Sequence, residues 1–218
     1  QMCIRDRYDG LFVMQDEESK TLWNHITGQA MYGPHVGESL GPVRNMLQMN
    51  VGEALELDPD MTVAISDRPY SGRYDDPEGG MLSENAELMD FFIETLGEED
   101  DRRPRMDMGL GIWTGDTQRY YPMEELRARD GAFIDEVDGR SLLVFLERRS
   151  MTPTAIYVDA DAATVDGGDV RLSSGDVVRS GILYDADGKQ LERELPQQTF
   201  TRWYGYILTF PEAEVFGQ

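Results

Sequence analysis

Residues 106–146 read MDMGLGIWTGDTQRYYPMEELRARDGAFIDEVDGRSLLVFL, and this stretch decides the fold class. Short runs rich in β-branched and aromatic residues alternate with Gly-Asp and Asp-Gly pairs, which favour tight turns. The runs predict strands over 108–113, 118–121, 132–137 and 141–146. Pro122 followed by Met-Glu-Glu-Leu-Arg predicts one or two helical turns between the second and third strands. Such spacing is typical of an antiparallel sandwich or barrel.

The same pattern continues towards the C-terminus, with Gly-containing turn signals between short apolar runs. These runs predict strands over 154–158, 170–172 and 182–184. Towards the end of the chain, the spacing of Phe200, Trp203, Tyr204 and Ile207 predicts an amphipathic helix over 199–210, which ends near Pro211.

The first third of the chain is more strongly interrupted by glycine and proline. An apolar run at 8–15 and a turn at 16–20 are followed by a Gly-rich loop over 27–41. Apolar spacing then predicts a short helix over 43–51 and a strand over 61–65. A further helix is predicted over 83–96, and a charged connector follows it.

Two distant segments resemble each other at identical spacing: residues 16–22 read DEESKTL and residues 185–191 read DADGKQL. Each follows an apolar strand and precedes a proline, an amphipathic segment and a closing Pro-acid motif. We therefore predict a mainly β, β-rich α+β fold: antiparallel sheets in a tandem repeat of a sandwich- or barrel-like unit, with a few short helices. The predicted organisation is the C-terminal part of a first unit (8–66), a connecting segment (67–105) and a second unit (106–218).

The charge of the chain restricts its partners. Its 218 residues carry 42 Asp+Glu against 20 Lys+Arg, a formal net charge of −22. This acidity argues against nucleic acid as a partner, and no apolar run is long enough to predict membrane insertion. Two interpretations of the acidity stay open: a halophilic or marine source, in which high salt screens the charge, and an ordinary acidic secreted protein.

The first seven residues, QMCIRDR, resemble the translation of a transposon adapter end and are predicted to be a remnant of that adapter. The single cysteine, Cys3, lies within them. The rest of the given sequence therefore offers no thiol for a disulfide, an iron–sulfur cluster or nucleophilic catalysis.

Few residues suggest a site. His25 and His35 are the only histidines, and with Asp16, Glu17, Glu18 or Glu38 they could form a metal site, although loop histidines are commonly solvated. A second hypothesis is a ligand groove lined by three aromatic residues that could equally belong to the core: Trp23, Trp113 and Tyr121. No catalytic residue and no cofactor is predicted.

Three motifs carry a family resemblance. Residues 22–40 (LWNHITGQAMYGPHVGESL), 110–123 (LGIWTGDTQRYYPM) and 211–215 (PEAEV) are similar, in this order, to signatures of the bacterial and archaeal domain of unknown function 3179. The resemblance implies a histidine and a Cys-Pro-x-Cys pair early in the first half of the family's chain, and an exported location. The stretches of this sequence that correspond in the second half, 131–136 and 146–150, contain neither histidine nor cysteine.

Two functions follow as hypotheses. The first is a non-catalytic, extracytoplasmic binding or scaffold module that contacts a small molecule or a protein. The alternative is a metal- or thiol-dependent enzyme or redox protein whose histidine and cysteine pair would lie in a segment preceding the given sequence.

Overall fold

The structure is a computed structural model and describes residues 2–8, 11–65, 98–147 and 149–218. In this part of the chain, short strands form four sheets and are accompanied by three short helices. The β-rich fold class with several antiparallel sheets is thereby confirmed, and the described strands do not close into a barrel. The predicted helix over 83–96 lies outside the described residues.

The first sheet is formed by the N-terminal strands in chain order. They are β1 (Met2–Tyr8), β2 (Leu11–Asp16), β3 (Leu22–Asn24) and β4 (Ala30–Tyr32). The backbone of β1 pairs antiparallel with β2, so residues predicted to be an adapter remnant extend this sheet, and their origin stays a prediction. Helix α1 (Val51–Leu57) follows this sheet in the chain.

The central sheet combines strands that are distant in sequence. Its order is β14 (Gln197–Arg202), β5 (Met108–Trp113), β6 (Gln118–Pro122) and β15 (Glu214–Val215). Helix α2 (Met123–Ala128) follows β6, and helix α3 (Trp203–Thr209) follows β14. All pairs are antiparallel except β15–β6, which is parallel.

Two further sheets complete the second half of the chain. A three-stranded sheet contains β7 (Ala132–Val137), β8 (Arg140–Glu147) and β9 (Thr152–Tyr157). The outer sheet contains β10 (Ala163–Asp166), β11 (Asp169–Leu172), β12 (Val177–Arg179) and β13 (Ile182–Tyr184). The turn between β7 and β8 consists of Asp138 and Gly139, both with positive φ (50° and 72°), as a two-residue hairpin turn requires.

The apolar run of β8 is buried on both faces. Leu142 and Val144 pack towards the central sheet, whereas Leu143 and Phe145 pack towards the outer sheet. Successive side chains of a strand point to opposite faces, so a continuous apolar run suits a strand enclosed between two layers. The three-stranded sheet is therefore the middle layer of a sandwich.

The glycines of β5 make room for side chains on the opposite face of the central sheet. Leu110 and Ile112 belong to the core beneath β5, while Gly109 and Gly111 lie on the face covered by α3. A Cβ atom at residue 109 would come within 2.6 Å of the Tyr120 ring, and one at residue 111 would overlap the ring of Tyr206. The missing side chains thus allow two buried tyrosine rings to lie against the backbone.

Several predicted elements match the structure to the residue, including the strands over 108–113, 132–137 and 182–184. The helix predicted over 43–51 is wrong, because α1 begins at Val51. Asn50 caps that helix: its side chain accepts from the Glu53 N–H, and the Glu53 carboxylate accepts from the Asn50 N–H.

Two further corrections concern strands. Residues 61–65 form no strand, since they have no pairing partner among the described residues. The helix predicted over 199–210 is a strand followed by a helix: β14 pairs with β5, and α3 begins only at Trp203. Tertiary pairing with a strand far away in the chain overrides the local apolar spacing there.

The two helices that follow the similar motifs correspond in local detail. Each has seven residues, and the second helix begins 152 residues after the first, at residue 203 instead of residue 51. With the same shift, the N–H groups of Asp58 and Phe210 donate to the carbonyls of Ala54 and Tyr206. The next turn also matches, since Met61 donates to Asp58 and Ala213 donates to Phe210. These matches support a duplicated unit, which stays a prediction.

Helix α1 is joined to the second half of the chain by direct bonds. Glu53, only 2% exposed, accepts from the Ser150 N–H at 3.1 Å. Asn45, which precedes the helix, donates to the Pro196 carbonyl at 2.7 Å and accepts from the Gln198 N–H at 2.9 Å.

Among the described residues, no helix is long and apolar enough to span a bilayer.

Candidate functional site

A cleft of about 310 Å³ opens where the first sheet meets the central sheet and α3. We call it the interface cleft. Its walls expose polar and apolar surface in about equal measure, with several apolar side chains among the lining residues. It is lined by Leu11, Phe12, His25, Ile26, Met108, Phe200, Thr201, Arg202, Tyr204 and Gly205. Small-molecule sites commonly have a volume of roughly 300–1,000 Å³.

The first-sheet wall of the cleft is shaped by Asn24, which is 6% exposed. Its side-chain oxygen accepts from the N–H groups of Ile26 at 2.7 Å and Thr27 at 3.2 Å, and so fixes the turn that follows β3. Its amide nitrogen donates to the Thr209 hydroxyl at the end of α3. One side chain therefore both forms the turn carrying His25 and Ile26 and fastens it to the opposite wall.

The other wall is set by the junction of β14 and α3. Arg202, the last residue of β14, lies opposite Met108 in the pairing register. The helix then starts without a side-chain cap, and the N–H groups of Trp203 and Tyr204 donate to the carbonyls of Asp107 and Arg105 instead. Because these backbone bonds hold the start of the helix, the Arg202 side chain is not needed as a cap.

The polar groups of the cleft include His25 and Arg202. The Nδ1 atom of His25 lies 2.7 Å from the Phe12 carbonyl oxygen, which can only accept, so Nδ1 carries the proton. The Arg202 guanidinium donates from NH1 to the sulfur of Met106 at 3.3 Å. A thioether is a weak acceptor, and within the described part of the chain no carboxylate compensates the charge of Arg202.

The predicted aromatic groove is not assembled in one place. Trp23 is buried in the first sheet and stacks on His35, with ring centroids 6.0 Å apart. Trp113 packs against Phe210 beside α3. Tyr121 is fully buried in the core beneath the central sheet, where its hydroxyl donates to Asp135. The structure thus places the three side chains in three different surroundings.

The histidines and their neighbouring acids are also dispersed. His25 lines the interface cleft, whereas His35 contacts Glu38 at 3.1 Å. The Asp16 carboxylate is occupied by Ser19, Thr21 and Trp23. Within the described ranges, no three His, Cys, Asp or Glu side chains converge as metal ligands would.

Asp16 instead organises the turn between β2 and β3. The Ser19 hydroxyl and N–H donate to its carboxylate at 2.6 Å, and the Trp23 indole donates at 3.1 Å. The Ser19 hydroxyl bond is the largest of the contributions that hold the pKa of Asp16 far below its ordinary value of 3.8. Since the charged form is favoured in the folded state, Asp16 stabilises the fold above pH 3.8, and this stabilisation is lost as the pH falls towards the native pKa.

Replacing Asp16 by asparagine is therefore expected to lower the urea midpoint at pH 7, and the difference from the parent protein should shrink below pH 3.8. Urea unfolding followed by tryptophan fluorescence between pH 7 and pH 2 measures both effects. Asp60→Asn, at an exposed position, removes the same charge as a control. A deficit of Asp16→Asn that persists unchanged at pH 2 would show that the carboxylate charge is not the cause.

A charged network fastens the C-terminal strand. Arg119 donates to Asp135 at 2.7 Å and to Glu214 at 2.6 Å, and Tyr121 donates to the same Asp135 oxygen at 2.8 Å. Burial, with the Asp135 charge adding to it, raises the pKa of Tyr121 far above its usual range. Burial alone would lower the pKa of Arg119, but its bonds to Glu214 and Asp135 outweigh that effect and raise it. Arg119 and Tyr121 therefore keep their ordinary charge states, and the network holds β15 against β6.

A second, larger cleft of about 610 Å³ lies between the three-stranded and outer sheets, and we call it the acidic cleft. Its rim includes Asp159, Asp176, Glu192 and Glu194. Its one arginine, Arg140, lies 3.7 Å from the centre of the Tyr157 ring and binds both oxygens of Glu194 at 2.7 Å. That cation is already paired, whereas no described carboxylate pairs with Arg202, so the interface cleft is the stronger candidate for a ligand site.

Of the residues that line the interface cleft, only His25 was predicted from the sequence as a site residue. The lining residues come from four separate stretches of the chain: 11–12, 25–26, 108 and 200–205. No local motif marks Arg202 or Gly205, because the cleft exists only once α3 packs beside the first sheet.

Comparison with protein families matches residues 8–212 to the DUF3179 family, described as a protein of unknown function. Searches of curated proteins and of solved structures found no match. The family match covers nearly the whole chain, in agreement with the three motifs that led to the same resemblance. The chain belongs to the DUF3179 family.

Proposed function

We propose that the chain is a non-catalytic, extracytoplasmic binding module that takes a small molecule in the interface cleft. The observation that carries this proposal is the cleft itself: an open cleft of about 310 Å³, formed by both halves of the chain and lined by both apolar and polar groups. The extracytoplasmic location in this proposal comes from the family resemblance.

Among the described residues, the carboxylates and buried tyrosines with the clearest pKa shifts are not poised for acid–base chemistry. Side-chain hydrogen bonds lower the pKa of the carboxylates of Asp16, Glu56, Asp100, Glu124, Asp138 and Glu194. Burial raises the pKa of the buried tyrosines Tyr120, Tyr121 and Tyr206. Both directions strengthen the ordinary charge state, whereas a general acid or base works best with a pKa near the operating pH.

The interface cleft also provides a way to test its occupancy. Gly205 lies in α3, and a Cβ atom built on it would be 3.6 Å from Thr201 and 3.9 Å from Leu11, both at ordinary contact distances. A leucine at residue 205 is therefore expected to fill the cleft, while the start of the helix keeps its backbone bonds. Thr164→Leu adds the same side chain at an exposed position of β10 and is the matched control.

The test is a titration with N-phenyl-1-naphthylamine, an uncharged probe whose fluorescence rises in apolar surroundings. We expect saturable binding of one probe to the parent protein and to Thr164→Leu, and an affinity at least about tenfold weaker for Gly205→Leu, equivalent to ~1.4 kcal/mol. Circular dichroism checks that both variants are folded. The absence of saturable binding, or equal binding by a folded Gly205→Leu protein, would overturn the proposal.

A further inference from the structure

Arg202 differs from most of the arginines whose side chains the structure describes. Most of them are neutralised by a carboxylate within 4.0 Å: Arg102, Arg103, Arg105, Arg119, Arg129, Arg140, Arg149, Arg171 and Arg179. Arg202 makes no such pair with any described carboxylate, and its recorded contact is the Met106 sulfur. In a chain with a formal net charge of −22, an unpaired cation is the unusual case.

The position of Arg202 separates it from other unpaired arginines. Arg44 and Arg127 are exposed, so water solvates their charges. Arg193 is half-buried like Arg202, but its guanidinium donates to the Gly181 carbonyl at 2.6 Å. Arg202 is half-buried and lines the interface cleft beside Met108 and Phe200. A cation beside apolar side chains loses part of its hydration, and an incoming anion can compensate for that loss.

On this basis we propose that the ligand of the interface cleft is a small amphipathic organic anion, such as a carboxylate with an apolar chain. The inference rests on the proposed function. The Arg202 guanidinium pairs with the anionic head group, and Leu11, Ile26 and Phe200 contact the apolar chain. Guanidinium is suited to this role because its planar donors match the two oxygens of a carboxylate.

His25 borders the cleft but does not pair with the anion. Its Nδ1 donates to the Phe12 carbonyl, so Nε2 of the neutral ring can only accept a hydrogen bond. The volume of about 310 Å³ suits a single short chain. The apolar side chains of the walls also imply that the affinity rises with chain length, by roughly tenfold for two added methylenes.

Arg202→Gln is suited to the test because the Arg202 side chain does not cap α3. Arg171→Gln is the matched control: it removes the same charge from an exposed ion pair with Asp166, on the outer sheet. The probes are hexanoate, octanoate, 1-octanol and octylammonium at constant ionic strength, with each affinity measured by isothermal titration calorimetry.

The parent protein and Arg171→Gln should bind octanoate about tenfold more tightly than hexanoate, and more tightly than octylammonium. Arg202→Gln should bind octanoate about tenfold more weakly, with its affinity for 1-octanol unchanged. Equal loss in the two arginine variants, or preference for octylammonium, would overturn the inference. If either of those results is found together with saturable binding of N-phenyl-1-naphthylamine, the proposed binding function is retained and only the inference of an anionic ligand is rejected.

Discussion

Replacing Gly111 by alanine is expected to destabilise the protein by about 3 kcal/mol, the upper range for overpacking a well-packed core. Gly111 lies in β5 beneath Tyr206, and a Cβ atom would overlap the tyrosine ring. That ring is fully buried, and its hydroxyl donates to the Ile112 carbonyl, so it has little freedom to withdraw. The strand is also paired on both sides, which prevents a shift of the backbone.

The free energy of unfolding from urea titration measures the effect, with Gly205→Ala as the matched control. A Cβ atom at residue 205 meets nothing closer than 3.6 Å, and alanine favours helix over glycine by roughly 1 kcal/mol. The control should therefore be neutral or more stable than the parent. A loss in Gly111→Ala no larger than the change in Gly205→Ala would contradict the close approach of Tyr206 to β5.

Replacing Trp203 by alanine is expected to cost about 4 kcal/mol, within the usual range for deleting a buried aromatic side chain. Trp203 is fully buried at the start of α3 and packs edge-on against Tyr120, with ring centroids 5.1 Å apart. Its truncation leaves a cavity between α3 and the central sheet. Because the same helix forms one wall of the interface cleft, ligand affinity should fall as well.

Trp203→Phe and Tyr32→Ala are the controls for this prediction. The phenylalanine variant retains an aromatic ring and should lose roughly half as much stability. Tyr32 is 73% exposed, so its truncation should change the free energy of unfolding by less than ~0.5 kcal/mol. A Trp203→Ala protein as stable as Tyr32→Ala would show that α3 does not depend on this contact.

The elements predicted well from the sequence are those whose signals are local. The strands over 132–137 and 141–146 are joined by Asp138-Gly139, and the positive φ values of this pair fix the hairpin register without help from elsewhere. The structure extends the second strand by one residue at each end, to Arg140–Glu147. The strand predicted over 108–113 is also found, and its two glycines lie beneath tyrosine rings.

The elements predicted poorly depend on distant partners or on caps. The spacing of Phe200, Trp203 and Ile207 suits a helix, yet the first of these residues lies in β14, opposite Leu110 of β5. The start of α1 is decided by the reciprocal bonds of Asn50 and Glu53 rather than by the apolar spacing that precedes them. Outside the described residues, the predicted helix over 83–96 stays a prediction.

The residues of the candidate site also divide into those that the sequence indicates locally and those that depend on distant parts of the chain. Histidine is rare in this chain, so residue type alone made His25 a candidate site residue. Arg202 is one of eighteen arginines among 20 Lys+Arg, and it is distinguished by its place in the interface cleft without a carboxylate partner among the described residues, which is a three-dimensional property. The separation of Trp23, Trp113 and Tyr121 into different surroundings likewise follows from the order of the sheets, which composition does not encode.

The most direct measurement is the mapping of octanoate binding by ¹H–¹⁵N NMR on the full chain. We expect saturable shifts in the backbone amides of residues 11–12, 25–26 and 200–205, which line the interface cleft. The amides of residues 157–160 and 191–194, at the acidic cleft, should stay unchanged. Shifts confined to the acidic cleft, or no saturable shifts at all, would contradict the account.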